Sequence, residues 1–270
     1  MHFVYLLCVI SQVIKIIEAY RSGILPYGTH KVDNRGVKTY KQRTLEVGVY
    51  TDKFLWKNMK AQVKGSDAVV ESAMKKMIGN LFREVGVLFK HPSISKKGGF
   101  DVKVNGIIIV KDDSFDEFFK HIHEAKQQID KLQWFKSYVS YKNNPDDKQR
   151  NSYDMNILLI GTDSDWLNGL GNPNSVCFMN AAAIADLYLV GGNYIARNVP
   201  LVAHEMGHVL GAQEHDGEYE SSKCDKGTYI MAPNVDTSAK TWSSCSRDQF
   251  DLIAAQLDGS KVTKGNCFYV

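Results

Sequence analysis

The sequence has no surplus of charge, no long apolar run, no N-x-Ser/Thr acceptor, no internal repeat and no low-complexity tract. Each absence narrows what the chain can be. A formal net charge of +3 over 270 residues, without a dense basic stripe, offers no electrostatic footprint for nucleic acid. The apolar run Phe3–Ile10 is far shorter than the roughly 20 residues a bilayer-spanning helix needs. Lys15 and Glu18 interrupt its continuation, so no membrane span is expected. Without an N-x-Ser/Thr sequence, no N-linked glycan is expected. Apolar and charged contents are ordinary, which argues against disorder and against a coiled coil. The length suits one or two domains with a real core.

What is present starts at the N-terminus. Phe3–Ile10, then Ser11-Gln12 and Ala19, read as a secretory signal peptide over residues 1–19, cleaved near Ala19, in a secreted, extracellular protein. The competing reading is a buried N-terminal strand or helix. Residues 20–43 are polar and basic, with Gly23, Pro26, Gly28 and Gly36, and read as a leader or short pro-segment. Lys38, Lys41 and Arg43 are either trimming sites or ordinary linker residues. Loss of Cys8 with the signal leaves Cys177, Cys224, Cys245 and Cys267, an even number in an exported chain. Two disulfides follow, with three pairings open.

Strands and helices alternate over the first half, which indicates an α/β layer architecture. Leu45–Tyr50 alternates as a strand should. Ser66-Asp67 opens a helix to about Phe89, with Val70, Met74, Met77, Ile78, Leu81 and Val85 on one face. Val102–Val110, apolar at Ile107–Val110, predicts a strand buried on both faces. Ser114 and Glu117 form a capping-box pattern that predicts one long helix. Its core stripe is Phe115, Phe118, Phe119, Ile122, Ala125, Ile129, Leu132 and Phe135. His121 and His123 lie two apart on it, point in different directions, and are ordinary helix residues. Asn143–Asp147 is a turn-rich loop, and Ile157–Ile160 is another buried strand.

The chemistry lies further on. Val199–Leu210 is helical, with Pro200 near its start, and contains His204-Glu205-Met206-Gly207-His208. Histidines four apart sit one turn above each other, so both imidazoles reach one zinc ion. Glu205 can then approach the metal's water as general base and return the proton to a leaving amine. Gly211 ends the helix and turns the chain sharply, which can swing a third ligand back to the metal. Three histidines leave zinc's fourth position open, as catalysis requires. Tyr229–Pro233 is a compact apolar turn holding Met231.

These motifs resemble those of the metzincins, HExxHxxGxxH with a methionine turn beneath the metal. The closer likeness is to the reprolysin (adamalysin/ADAM-like) family. It rests on Ala203–Gly211, His215-Asp216-Gly217, Cys224 before Tyr229-Ile230-Met231, and Trp242–Ser246 ahead of a capped C-terminal helix. Leu45–Asp52 is similar to the family's first strand. The likeness spans about residues 44–270 and is strong over 197–247. Short, secreted arthropod members of tick saliva or scorpion venom are the narrower comparison.

The resemblance implies a metzincin-type α/β catalytic domain over 44–270, with a mixed, mostly parallel twisted sheet, long helices, an active-site helix and a small C-terminal subdomain. It implies a monomeric zinc endopeptidase acting on protein or peptide substrates. His204, His208 and His215 would be zinc ligands, and Glu205 the base. Met231 would pack beneath the site, and Asp216 would tie the third-ligand segment to the methionine turn. The implied disulfides are Cys177–Cys267 and Cys224–Cys245. Ser175–Asp186 would lie near the substrate edge, where peptide could add as a strand. No cysteine-switch propeptide and no disintegrin-like or cysteine-rich tail is expected. The family's structural calcium would fall near Glu46, Asp154 and the Cys267 carbonyl, but Val270 stands where its asparagine would be.

One departure bears on the site. The family has two residues between its glycine and third histidine, whereas Ala212, Gln213 and Glu214 separate Gly211 from His215. One added residue moves an extended chain about 3.3 Å and reverses side-chain direction. A bulge at Gln213 or Glu214 could leave His215 on the metal. Glu214, in the family's third-ligand position, could bind instead through a carboxylate oxygen. If neither binds, the chain is a catalytically silent, metalloprotease-like binding module. A surface-binding scaffold with structural zinc would need a fourth protein ligand. Glu218 or Glu220 as a distant glutamate ligand conflicts with the methionine turn.

Overall fold

The computed structural model describes residues 31–32, 38–39, 42–143, 152–162, 168–189, 194–258 and 267–268. The expected signal peptide, nearly all of the leader, the Asn143–Asp147 loop past Asn143, and Val270 lie outside the described residues.

Branched residues build the centre of a five-stranded sheet: β1 (Arg43–Thr51), β2 (Phe100–Ile109), β3 (Met155–Thr162), β4 (Gly169–Gly171) and β5 (Ala182–Tyr188). Strand order is β2-β1-β3-β5-β4, parallel throughout except for the antiparallel β4. Inner strands are covered on both faces, so their sequences are apolar at successive positions. Val47, Val49, Ile157 and Leu159 face one core; Tyr50, Leu158 and Ile160 face the other.

The first core is closed by α1 (Lys53–Gln62) and α2 (Asp67–Lys90) with the later helices α5 (Tyr194–Leu210) and α6 (Ser244–Asp258). The predicted stripe of α2, from Val70 to Val85, is buried. The second core lies under α3 (Glu117–Glu124) and α4 (Gln128–Lys142).

Three sequence expectations change. The helix predicted from Ser114 is two helices. Asp116, not Ser114, caps the first by accepting the Phe118 N–H at 3.1 Å, while Ser114 turns to Asp112. The chain leaves helical dihedrals at Ala125. The break lets Phe119 and Ile122 share one core with Leu132 and Phe135, while Phe115 and Ile129 are exposed. Strand β2 is outermost, so Ile107–Ile109 are only partly covered. Pro200 stands inside its helix rather than at the start. Tyr188 pins the added first turn, donating its N–H to the Asn198 side chain at 3.1 Å and accepting from it at 2.9 Å.

Candidate metal centre and active site

Helix α5 runs beneath the sheet with Leu201, Val202, Met206, Val209 and Leu210 buried. Its histidines therefore emerge on one face, as the i, i+4 spacing requires. The rings of His204 and His208 have centroids 4.9 Å apart. Gly211 follows at φ +148, a conformation L side chains rarely adopt, and its N–H reaches the Gly207 and His208 carbonyls at 3.0 and 3.1 Å.

The chain then folds back, and the added residue is taken up on the outside. Gln213 is exposed and donates its N–H to the Gln249 side chain at 2.8 Å. The Glu214 carboxylate turns away to accept the Glu220 N–H at 2.9 Å. His215 arrives 5.2 Å from the His204 ring and 5.1 Å from the His208 ring. One nitrogen from each of His204, His208 and His215 lies within 4.8 Å of the others, and Glu214 is not in the group.

Each imidazole is held through Nδ1. His204 pairs with the Ile230 carbonyl at 2.6 Å, His208 with the Ala212 carbonyl at 2.7 Å, and His215 with Glu218 Oε2 at 3.1 Å. Each partner can only accept, so Nδ1 carries the proton and Nε2 keeps a free lone pair. Burial, then the neighbouring ring of His208, pushes His204 down to about 3, and burial pushes His208 down to about 4. Both are therefore neutral, the form that binds metal. Three imidazole nitrogens converging from two segments fit a divalent metal with an open position.

Glu205, next to His204 on the same helix, is buried, and burial pushes its carboxyl up to about 8. The Gly171 N–H donates to it and works in the opposite direction. Strand β4 lies directly over this residue. A Cβ on Gly171 would meet the Glu205 carbonyl oxygen at 2.6 Å and His208 Cβ at 2.7 Å. Sequence reading missed Gly169 and Gly171, though glycines two apart share one strand face and signal close approach.

Beneath the histidines, Met231 is fully buried, and a Cβ on Gly207 would lie 2.6 Å from its sulfur. Asp216 donates its N–H to the Met231 carbonyl at 2.8 Å and accepts from Ser243 Oγ at 2.5 Å. Trp242 donates its indole N–H to the Leu88 carbonyl at 2.8 Å and locks this segment to α2. Disulfides join Cys177 to Cys267 and Cys224 to Cys245.

Other sequence readings fall elsewhere. His121 stacks on Trp134 and His123 bonds Asp113, both outside the cluster. Ser175–Asp186 is not a free sheet edge, because β4 already pairs with β5. At the calcium-type position, Glu46 pairs with Lys103 at 3.0 Å, and Asp154 accepts the Glu46 N–H at 2.7 Å. Both acids are thus engaged.

A mostly parallel sheet laid over a two-histidine helix, with a third histidine returned by a glycine turn, defines a metallopeptidase-type domain. The sequence profile Reprolysin_5, metallo-peptidase family M12, matches residues 41–243, and the chain belongs to that family. Membership implies a metal. The chain is 28% identical over 233 residues to "A disintegrin and metalloproteinase with thrombospondin motifs adt-1" of Caenorhabditis elegans, covering 83% of this chain and 15% of that protein. It is 28% identical over 176 residues to the gon-1 protein of the same name and organism, covering 62% of this chain and 8% of that protein. The chain thus spans a small part of either relative. A solved structure described as "Structure of a chaperone-substrate complex" superposes with a TM-score of 0.51 at 15% identity, over 88% of this chain and 41% of the other. At that identity the likeness concerns the fold alone. Among the described residues no helix is long and apolar enough to cross a membrane.

Proposed function

We propose that this chain is a secreted zinc endopeptidase, with residues 1–19 as signal peptide, 20–43 as leader and 44–270 as the catalytic domain. The observation that carries it is the convergence of one nitrogen from each of three histidines, with the buried Glu205 next to His204 on the same helix. His204, His208 and His215 would hold the zinc. When bound, zinc supplies Lewis-acid polarisation of the scissile carbonyl and acidifies water. Glu205, as the carboxylate, takes a proton from the attacking water and passes it to the leaving amine. The buried wall of β4 and α5 keeps bulk water from the carboxylate. The outer edge of β4 would take an extended peptide by main-chain pairing, so affinity depends little on its sequence.

The test is cleavage of a quenched peptide library by the purified protein, beside Glu205→Ala and a chelator control. Turnover lost in both controls is the expected result. No turnover from a folded, zinc-loaded protein would overturn the reading in favour of a silent binding module.

A further inference from the structure

The three histidines are not held alike. His204 and His208 are 3% and 8% exposed, and their Nδ1 atoms meet backbone carbonyls. His215 is about one-third exposed, and its Nδ1 meets a carboxylate, Glu218 Oε2. The contact is built by the turn itself. The Glu218 N–H donates to the His215 carbonyl at 3.2 Å, across Gly217 at φ +80. That closure brings the Glu218 side chain back over the ring three residues earlier. Glu218 is fixed in turn, since its carbonyl accepts the Ser221 N–H at 2.7 Å and Ser221 returns its carbonyl to Gly217 at 2.9 Å. Asp216 anchors the same turn to Met231 and Ser243.

We infer that Glu218 is the positioning residue of the third histidine, orienting the His215 ring and committing its Nε2 lone pair to the metal. The inference rests on the zinc-site reading above. Two physical reasons support it. An exposed imidazole can lose a neutral acceptor to water, whereas a charged acceptor makes a stronger bond. A carboxylate on Nδ1–H also strengthens the ring as a donor, and such outer partners govern metal affinity. Glu218 thus does for the displaced His215 what burial does for the two helical histidines.

The test measures zinc affinity by competition with a chelating dye, the visible spectrum of the cobalt-loaded protein, and the melting temperature of the metal-free protein. Glu218→Ala should weaken zinc about 10–100-fold and change the cobalt spectrum, with the metal-free melting temperature unmoved. Glu218→Gln should fall between, since its amide oxygen still accepts from Nδ1. Glu220→Gln, an exposed acid of the same loop, should bind as the wild type does. Wild-type affinity and an unchanged spectrum in Glu218→Ala would overturn the assignment. Equal weakening in Glu220→Gln would also overturn it, by making the effect one of loop charge. If His215→Ala binds zinc as tightly as the wild type, the three-histidine reading itself falls and takes this role with it.

Discussion

Gly169 and Glu205 share a space that holds a hydrogen atom and no more: a Cβ on Gly169 would lie 2.6 Å from the Glu205 carboxylate oxygen. The edge strand therefore sets the position of the proposed base. Gly169→Ala should push that carboxylate away and lower kcat/KM about 100-fold, the scale of a misplacement of about 1 Å. Zinc stoichiometry and melting temperature should be retained. Undiminished turnover would show that the carboxylate has room to move.

The turn after Gly211 separates the two readings of the late histidine. His215→Ala should lose bound zinc on dialysis. Glu214→Ala should keep it, because that carboxylate turns away from the histidines to accept the Glu220 N–H. Metal analysis of both variants decides the matter, and zinc lost from Glu214→Ala alone would make the glutamate the ligand.

Asp52 gives stability a pH dependence away from the metal site. It is 1% exposed, caps α1 by accepting from Leu55, and accepts from Gly161. Burial pushes its carboxyl up to about 7. The folded state then binds more protons than the unfolded state between the ordinary carboxylate range and about 7, so stability falls as pH rises through that window. Asp52→Asn keeps the accepting oxygen and removes the charge. It should gain on the wild type with rising pH, by on the order of 1–4 kcal/mol above pH 7. Chemical denaturation from pH 4 to 8 measures the difference, and a constant offset would refute it.

The two disulfides close chain segments of different length, with sequence separations of 90 for Cys177–Cys267 and 21 for Cys224–Cys245. In the chain-entropy picture they restrain the unfolded chain by ~4–5 and ~3 kcal/mol respectively. Paired Cys→Ser variants should therefore melt lower, with the Cys177/Cys267 pair losing more. The reverse order would place the stabilisation in native contacts of the small subdomain.

Much of this protein is local and therefore legible along the chain. The i, i+4 histidines must share a helix face, and the α2 stripe must face a core, because both follow from 3.6 residues per turn. Gly211 announced the sharp turn by the dihedral only glycine takes freely. Local signals misled where neighbours decide. Ser114 offered a cap that Asp116 took. The run Ile107–Ile109 is as apolar as an inner strand, yet β2 stands at the edge.

By itself the sequence determined the pair His204 and His208, the carboxylate between them, and the supply of a third histidine after a glycine turn. Only the tertiary structure decided that His215 rather than Glu214 faces them, that Glu218 holds its ring, and that Gly169 and Gly171 lie on Glu205. The physical reason is range. A helix repeats its geometry within one turn, whereas an inserted residue can swing inward or outward, and Gln249, Glu220 and the buried Asp216 drew this one outward.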